Sequence, residues 1–202
     1  MRLIVGITGA TGSIFGVRVL EALRQADVET HLVMSKWGAR TLAHETSCSV
    51  DYVKGLASYT YSESDQGAVI SSGSFLTDGM IIAPCSVRSL AAIAHGQGDN
   101  LIHRAADVVI KERRKLLLMV REAPLSEIHL ENMLKLSRMG VVIAPPVPGF
   151  YNHPQTLDDM INHVVMRALD QFGIQANLAN RWEGPMTTGG IPRLGIKHGE
   201  QS

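Results

Sequence analysis

Short runs of consecutive apolar residues punctuate the chain at Leu3 to Ile7, Thr30 to Met34, Met80 to Ala83, Leu116 to Val120 and Val141 to Ala144. Runs this short, with little polar alternation, suit strands of a parallel sheet that is covered on both faces. Between them the apolar positions fall at helical spacing near residues 13–25, 36–46, 86–95, 100–114 and 126–139, with a last helix near 157–172. Strands alternating with helices predict an α/β fold: a three-layer, doubly wound parallel sheet, Rossmann-like or flavodoxin-like, in a single domain. Ligands of such sheets gather beyond the carboxyl ends of the strands, so the residues after each run carry the functional reading.

The last helix has the clearest period, with Leu157, Met160, Ile161, Val164, Val165, Ala168, Leu169 and Phe172 on one face. Thr156 is its expected N-cap, Asp159 sits in its first turn and Gly173 stops it. The helix near 126–139 carries Leu130, Met133 and Leu134 on one side and Ile128, Leu136 and Met139 on the other. Two apolar sides allow either packing on the sheet and on another subunit or complete burial. Residues 58–78, rich in Ser and Gly, read as a loop excursion, and the Pro- and Gly-bearing tail 184–202 as loosely ordered, which leaves 1–183 as the domain.

Composition narrows the function classes. A chain of 202 residues suits one core rather than two, and 45% apolar residues are enough to fill it. Zero formal net charge gives no reason to expect nucleic acid or a membrane surface as partner, so local basic clusters point to a smaller anion. The first apolar run starts at Arg2 with no basic leader, which predicts a cytoplasmic protein. Cys48 and Cys85 lack CxxC spacing and read as reduced packing residues. The segment His44 to Cys48 misses HExxH at its last position, and no other histidines have ligand spacing, so no metal is expected.

The strand ends hold the candidate chemistry. After the first run comes Thr8-Gly9-Ala10-Thr11-Gly12-Ser13, a glycine turn opening into a helix. Its amides could hold a phosphate or lie against a flavin, although the turn is neither GxGxxG nor a Walker loop and a plain tight turn would look the same. The second run ends in Ser35-Lys36, where an NAD-binding unit would place an acid for the ribose. Ala83-Pro84-Cys85-Ser86-Val87-Arg88-Ser89 puts hydroxyls and a guanidinium at a helix start, either as an anion nest or as a simple N-cap. Arg121-Glu122 follows the fourth run, a charged pair at a strand end. The stiff segment Pro145 to Tyr151 can present Phe150 and Tyr151 to an apolar ligand. Arg104, Lys111, Arg113 and Arg114 share one helix, and Arg167 flanks the last stripe; both have bland readings as solvated or snorkelling cations.

Taken in order, TGATGS, LVMSKWG, SSGSF, APCS, RAADVVIKERR, REAPLSEIHLENMLKLSRMG, PPVPGFYNHPQT and RWEG resemble a UbiX-type flavin prenyltransferase from about Arg2 to Trp182. The resemblance implies transfer of a dimethylallyl group from dimethylallyl phosphate to N5 and C6 of reduced FMN, without a metal. The prenylated FMN would serve a UbiD-type aromatic acid decarboxylase. It implies FMN contacts at Gly9, Ala10, Thr11, Ser35, Ser86, Val87, Arg88, Ser89 and Arg121. It puts dimethylallyl phosphate against Tyr151 and Arg167, with Arg104 and Lys111 joining across a subunit boundary. Glu45, Glu122, Tyr151 and Trp182 would line the reacting atoms, Glu122 handling a proton. The likeness also implies a homo-oligomer, a dodecamer in form. Two positions depart from the family pattern: Thr11 stands for a common serine, and Val87-Arg88 for Met-Lys or Ile-Lys. The rival readings are an FMN-binding subunit without chemistry and an FMN-dependent cysteine decarboxylase. The latter should carry a PASANT-like segment where this chain has APCSVRS, and a PxMNxxMW motif that is missing here.

Overall fold

A computed structural model describes residues 1–182. The domain boundary drawn at 183 and the tail expected beyond it lie outside the described residues. Six strands form one all-parallel sheet: β1 (Arg2–Ile7), β2 (Glu29–Met34), β3 (Tyr59–Ser62), β4 (Gly79–Cys85), β5 (Lys115–Val120) and β6 (Val142–Ile143). Their spatial order is β3-β2-β1-β4-β5-β6. That is the order of the Rossmann arrangement, with its switch point between β1 and β4.

The helices fall into two layers because side chains alternate across each strand. Leu3, Val5 and Ile7 of β1 face the side covered by α1 (Ser13–Gln25), α2 (Lys36–Glu45), α3 (Val50–Leu56) and α7 (Leu157–Asp170). Ile4 of β1, with Met80 and Ile82 of β4, faces α4 (Val87–Ala94), α5 (Leu101–Lys111) and α6 (Glu127–Arg138). Each fully buried Leu or Ile contributes about 1.5–3 kcal/mol of hydrophobic stabilisation, so the two faces of β1 and β4 anchor the fold. The predicted three layers and single sheet are what is observed.

Two elements differ from the sequence reading. β3 lies inside the segment read as a loop, and it pairs with β2 in the register His31 to Tyr59 and Val33 to Tyr61. Its rings stack on buried His31, at centroid distances of 4.9 Å for Tyr59 and 5.8 Å for Tyr61. His31 also meets Glu29 and the Tyr61 hydroxyl through its ring nitrogens. The helix read as apolar on two sides, α6, buries Leu136 in the core of its layer and Asn132 against the end of α4, where Asn132 Oδ1 meets His95 Nε2 at 3.1 Å. Ile128, Leu130 and Leu134 stay exposed, so complete burial does not hold within one chain.

Candidate active site

A ladder of hydrogen bonds continues past the strands and pulls their carboxyl ends together. Ser35 N–H donates to Ile7 O (2.9 Å), Thr8 N–H to Pro84 O (3.2 Å) and Arg121 N–H to Cys85 O (3.1 Å). The Thr8 hydroxyl donates to Pro84 O and accepts from Ser86 N–H, both at 2.8 Å. The segments after β2, β1, β4 and β5 are thereby placed side by side at the switch point.

The glycine turn is organised by a carboxylate from the far end of α2. Gly12, the N-cap of α1, has φ +93° and no side chain with which to cap. Glu45 Oε2 supplies the missing acceptor, taking the amides of Gly12 at 2.8 Å and Ser13 at 3.1 Å. Burial is the largest single influence on this carboxyl and pushes its pKa up. Hydrogen bonds from the Thr11 side chain and from the Ser13 and Gly12 amides outweigh it, and the net shift is downward. The expected anion nest is therefore partly filled by the chain itself. Among the described residues nothing accepts from the amides of Gly9, Ala10 and Thr11. A side chain at Gly9 would place its Cβ 2.5 Å from Trp37 Cβ. Glycine thus lets the turn pack closely on Trp37, and the uncommitted amides beside it suit an anionic group of a cofactor.

The serines after β2 and β4 are helix caps. Ser35 Oγ accepts from Gly38 N–H at 2.9 Å, and Ser86 Oγ from Ser89 N–H at 3.2 Å. Ser89 is buried, with its hydroxyl between Ser86 Oγ and His103 Nε2, each at 3.2 Å. Arg88 is exposed and Val87 half-buried at the start of α4. Cys85 is fully buried, and burial pushes its thiol up to about 12, so it stays protonated and packs, as expected. Arg121 and Glu122 both lie exposed after β5.

A second group gathers around α7. Thr156 caps this helix in a reciprocal box with Asp159, as the sequence predicts. Buried His163, half-way along it, meets the Tyr151 hydroxyl through Nε2 at 2.7 Å. The Tyr151 ring stands edge-on to His163 and, at 5.9 Å, to Trp182. One turn beyond His163, Arg167 pairs with Asp170 at 2.7 Å, while Arg181 grips the same carboxylate at 2.8 and 2.9 Å. Arg181, first among the influences, and Arg167 hold Asp170 below the usual carboxylate range against the opposing effect of burial. A cavity of about 270 Å³ opens here, lined by Met119, Val142, Ala144, Val147, His163 and Arg167. The periodic stripe of α7 marks its apolar positions and gives no sign of His163 or Asp170. A histidine four residues before Arg167, on the helical face that docks, was the available signal.

Arg104 and Lys111 are not brought to these groups within one chain. Arg104 donates to Ser71 O and pairs with Asp107 at 2.7 Å. Lys111 ends α5, pairs with Glu112 and lies four residues before the start of β5, at the amino ends of the strands and so opposite the carboxyl ends where these groups gather. Among the described residues, no three His, Cys, Asp or Glu side chains cluster in a way that could hold a metal ion, and no helix is long and apolar enough to cross a membrane.

A family model described as Flavoprotein matches residues 1–168. The chain is 59% identical over 184 residues to the "Probable UbiX-like flavin prenyltransferase" of Bacillus subtilis (strain 168), covering 91% of this chain and 90% of that protein. Its fold matches the crystal structure of a dodecameric FMN-dependent UbiX-like decarboxylase from Escherichia coli O157:H7 with a TM-score of 0.89 and 59% identity, over 92% of this chain and 100% of that one. It matches AnUbiX (PadA1), solved in complex with FMN and dimethylallyl pyrophosphate, with a TM-score of 0.90 and 51% identity, over 91% and 97% of the two chains.

Proposed function

From the premise that the chain belongs to the flavoprotein family, and within it to the UbiX-like flavin prenyltransferases, we propose that it joins a dimethylallyl group from dimethylallyl phosphate to reduced FMN, at N5 and C6. The observation that carries this reading in the molecule is the meeting of the uncommitted Gly9 to Thr11 amides with the ends of β2, β4 and β5 at one switch point.

In this proposal Gly9, Ala10, Thr11, Ser35, Ser86, Val87, Arg88, Ser89 and Arg121 hold FMN, whose reduced ring supplies the nucleophile when bound. Tyr151 and Arg167 hold the prenyl phosphate. Arg104 and Lys111, remote within one chain, complete the clamp from a neighbouring subunit. Cationic side chains stabilise the negative charge that grows on the departing phosphate, and they do so best where water is excluded. The aromatic faces of Tyr151 and Trp182 favour an allylic cation by about 0.5–2 kcal/mol. Glu45 fixes the turn beside the flavin, and Glu122 moves the proton released on ring closure.

The protein works in the cytoplasm as a homo-oligomer, a dodecamer in this proposal. The exposed Ile128, Leu130 and Leu134 of α6 supply an apolar contact face. Its product goes to a UbiD-type decarboxylase. The domain of this activity is 1–183. Mere carriage of FMN needs neither Tyr151 nor Arg167, which ranks that reading lower. Anaerobic incubation with reduced FMN and dimethylallyl phosphate, followed by mass analysis of the flavin, tests the proposal. One added prenyl group is expected; a flavin of unchanged mass overturns it.

A further inference from the structure

The Tyr151 hydroxyl has a neighbour of unusual character. His163 is 95% buried, since only 5% of its surface is exposed, and its Nε2 lies 2.7 Å from the Tyr151 oxygen. Its other ring nitrogen, Nδ1, is buried with no partner among the described residues. Burial lowers the pKa of the imidazole, and Arg167 lowers it further against the pull of Asp170, so at neutral pH the ring carries one proton. That proton has two possible seats. On Nδ1 it would be an orphaned buried N–H, a rare and costly arrangement; on Nε2 it makes a hydrogen bond and leaves only a lone pair unpartnered. The second seat is favoured, so Nε2–H donates and the phenol oxygen accepts.

A phenol that accepts this bond keeps its own proton for something else. We infer that His163 is a positioning residue: it fixes the Tyr151 oxygen as an acceptor and thereby leaves the Tyr151 O–H to donate to an oxygen of the prenyl phosphate held by Arg167. The inference rests on the function proposed above, with Tyr151 and Arg167 on the substrate. It adds a residue whose ring edges the cavity beside Arg167 but whose one polar contact among the described residues is Tyr151, through which it acts.

The surroundings are built to hold this pair. Tyr151 lies in the segment between β6 and α7 that has no regular structure, so its own backbone does little to orient it. His163 belongs to the middle of α7, which is fixed at its start by the Thr156–Asp159 box and packs on α1. The chain passes over the pair at Gly149, where a Cβ would come within 3.1 Å of both His163 Cε1 and Tyr151 Cε1. A rigid helix thus aims a group carried on a loop, with glycine leaving the room to do it.

The test uses full-length protein loaded with oxidised FMN, so that binding is measured without turnover. Dimethylallyl phosphate is titrated calorimetrically into wild type, His163→Phe, His163→Gln, Tyr151→Phe and the double variant Tyr151→Phe/His163→Phe. Loss of one oriented hydrogen bond predicts about a threefold to tenfold weaker Kd for His163→Phe. FMN affinity should not change, and His163→Gln, whose amide can still donate, should recover most of the loss. The double variant should bind no worse than Tyr151→Phe, because His163 acts only through that hydroxyl. With reduced FMN, His163→Phe should raise KM for dimethylallyl phosphate more than it lowers kcat. Unchanged binding in His163→Phe, or losses that multiply in the double variant, overturns the inference. Wild type that binds dimethylallyl phosphate in a His163-dependent way yet leaves the flavin mass unchanged supports the inference and overturns the prenyl transfer. Wild type that neither binds nor transfers overturns both. Should His163→Phe fail to fold, Gly149→Ala displaces the same pair from the other side and should weaken Kd alike; wild-type binding there would count against the inference.

Discussion

Glu45 is a cap borrowed from another helix, and removing it should be measurable as stability. The first turn of α1 has no acidic residue and its N-cap has no side chain, so among the described residues it is Glu45 that meets the positive end of that helix, through the Gly12 and Ser13 amides. Replacing a capping side chain by Ala costs about 1 kcal/mol, within roughly 0.5–2. Loss of a negative charge from a helix N-terminus adds about 0.3–1 kcal/mol. The Glu45→Ala variant should then lose about 1–2 kcal/mol, and at about 2–4 °C per kcal/mol for a domain of this length its Tm should fall by roughly 3–6 °C. Glu45→Gln keeps the length and one acceptor, so about half that fall is expected. The assay is thermal unfolding at one fixed protein concentration without flavin, since bound ligand and assembly would otherwise shift the midpoint. The pH dependence gives an internal check. The folded carboxyl has a depressed pKa, so its stabilisation is full above the ordinary value of 4.5 and fades as pH falls through the lower folded value. The gap between wild type and Glu45→Ala should therefore close in acid. A Glu45→Ala protein that unfolds within about a degree of wild type at pH 7 would refute the capping argument.

Other consequences can be read in the same way. Ala at Gly16 would put its Cβ 2.4 Å from Ala83 O and 2.9 Å from Ile7 Cδ1, so the Gly16→Ala variant should lose about 1–3 kcal/mol through overpacking; an unmoved urea midpoint would contradict this. His31, His103 and His163 all have lowered pKa values, burial being the first cause in each. The unfolded chain then binds more protons below its ordinary pKa of 6.5, so the urea midpoint should drop as pH falls from about 7 to 5; a flat profile would show these rings to be solvated. In flavin titrations Arg121→Ala should weaken FMN binding about tenfold or more, while Arg167→Ala should spare FMN and raise KM for dimethylallyl phosphate. Equal behaviour of the two would dissolve that division. Glu122→Gln should retain flavin and slow single-turnover product formation, and a wild-type rate would remove its proton role.

What could be read from sequence was whatever repeats locally. β1, β2, β4 and β5 are buried on both faces, so each leaves an apolar run, and α7 shows its cap and its stripe within a short window. β3 left no such run because it is an edge strand. Tyr59 is more than half exposed, and the strand earns its place by stacking on His31, a residue 28 positions earlier whose burial no local window reveals. β6, another edge strand, is only two residues long where four were expected. The capping role of Glu45 was hidden for the same reason, since its bonds span 32 and 33 positions. Strand-end logic found the groups at the switch point but could not locate Arg104 and Lys111, which sit along a helix rather than at its start.

The two departures from the family pattern look different once donors are separated from side chains. Glu45 is held by the Gly12 and Ser13 amides, and the Thr11 hydroxyl that also lowers its pKa is the part that threonine and serine share, so the added methyl removes none of these donors. Val87 and Arg88 are the first residues of α4, and among the described residues nothing accepts from their amides, as is usual for the opening turn of a helix. Ser86 by contrast gives its proton to Ser89 Oγ and accepts from Ser89 N–H, so its hydroxyl is already engaged. What this segment has left to offer an anion is its main chain, which is indifferent to Val-Arg or Met-Lys, and the exposed Arg88 guanidinium, which keeps the positive charge of the lysine it stands for but presents it as a planar fork of donors. Ser35 is the opposite case: its oxygen accepts from Gly38 N–H, and among the described residues nothing takes its proton. Capping and ligand binding are then not rival explanations of these serines. A cap uses the oxygen as acceptor and fixes its position, and the fixed hydroxyl or the neighbouring amides face whatever sits at the switch point.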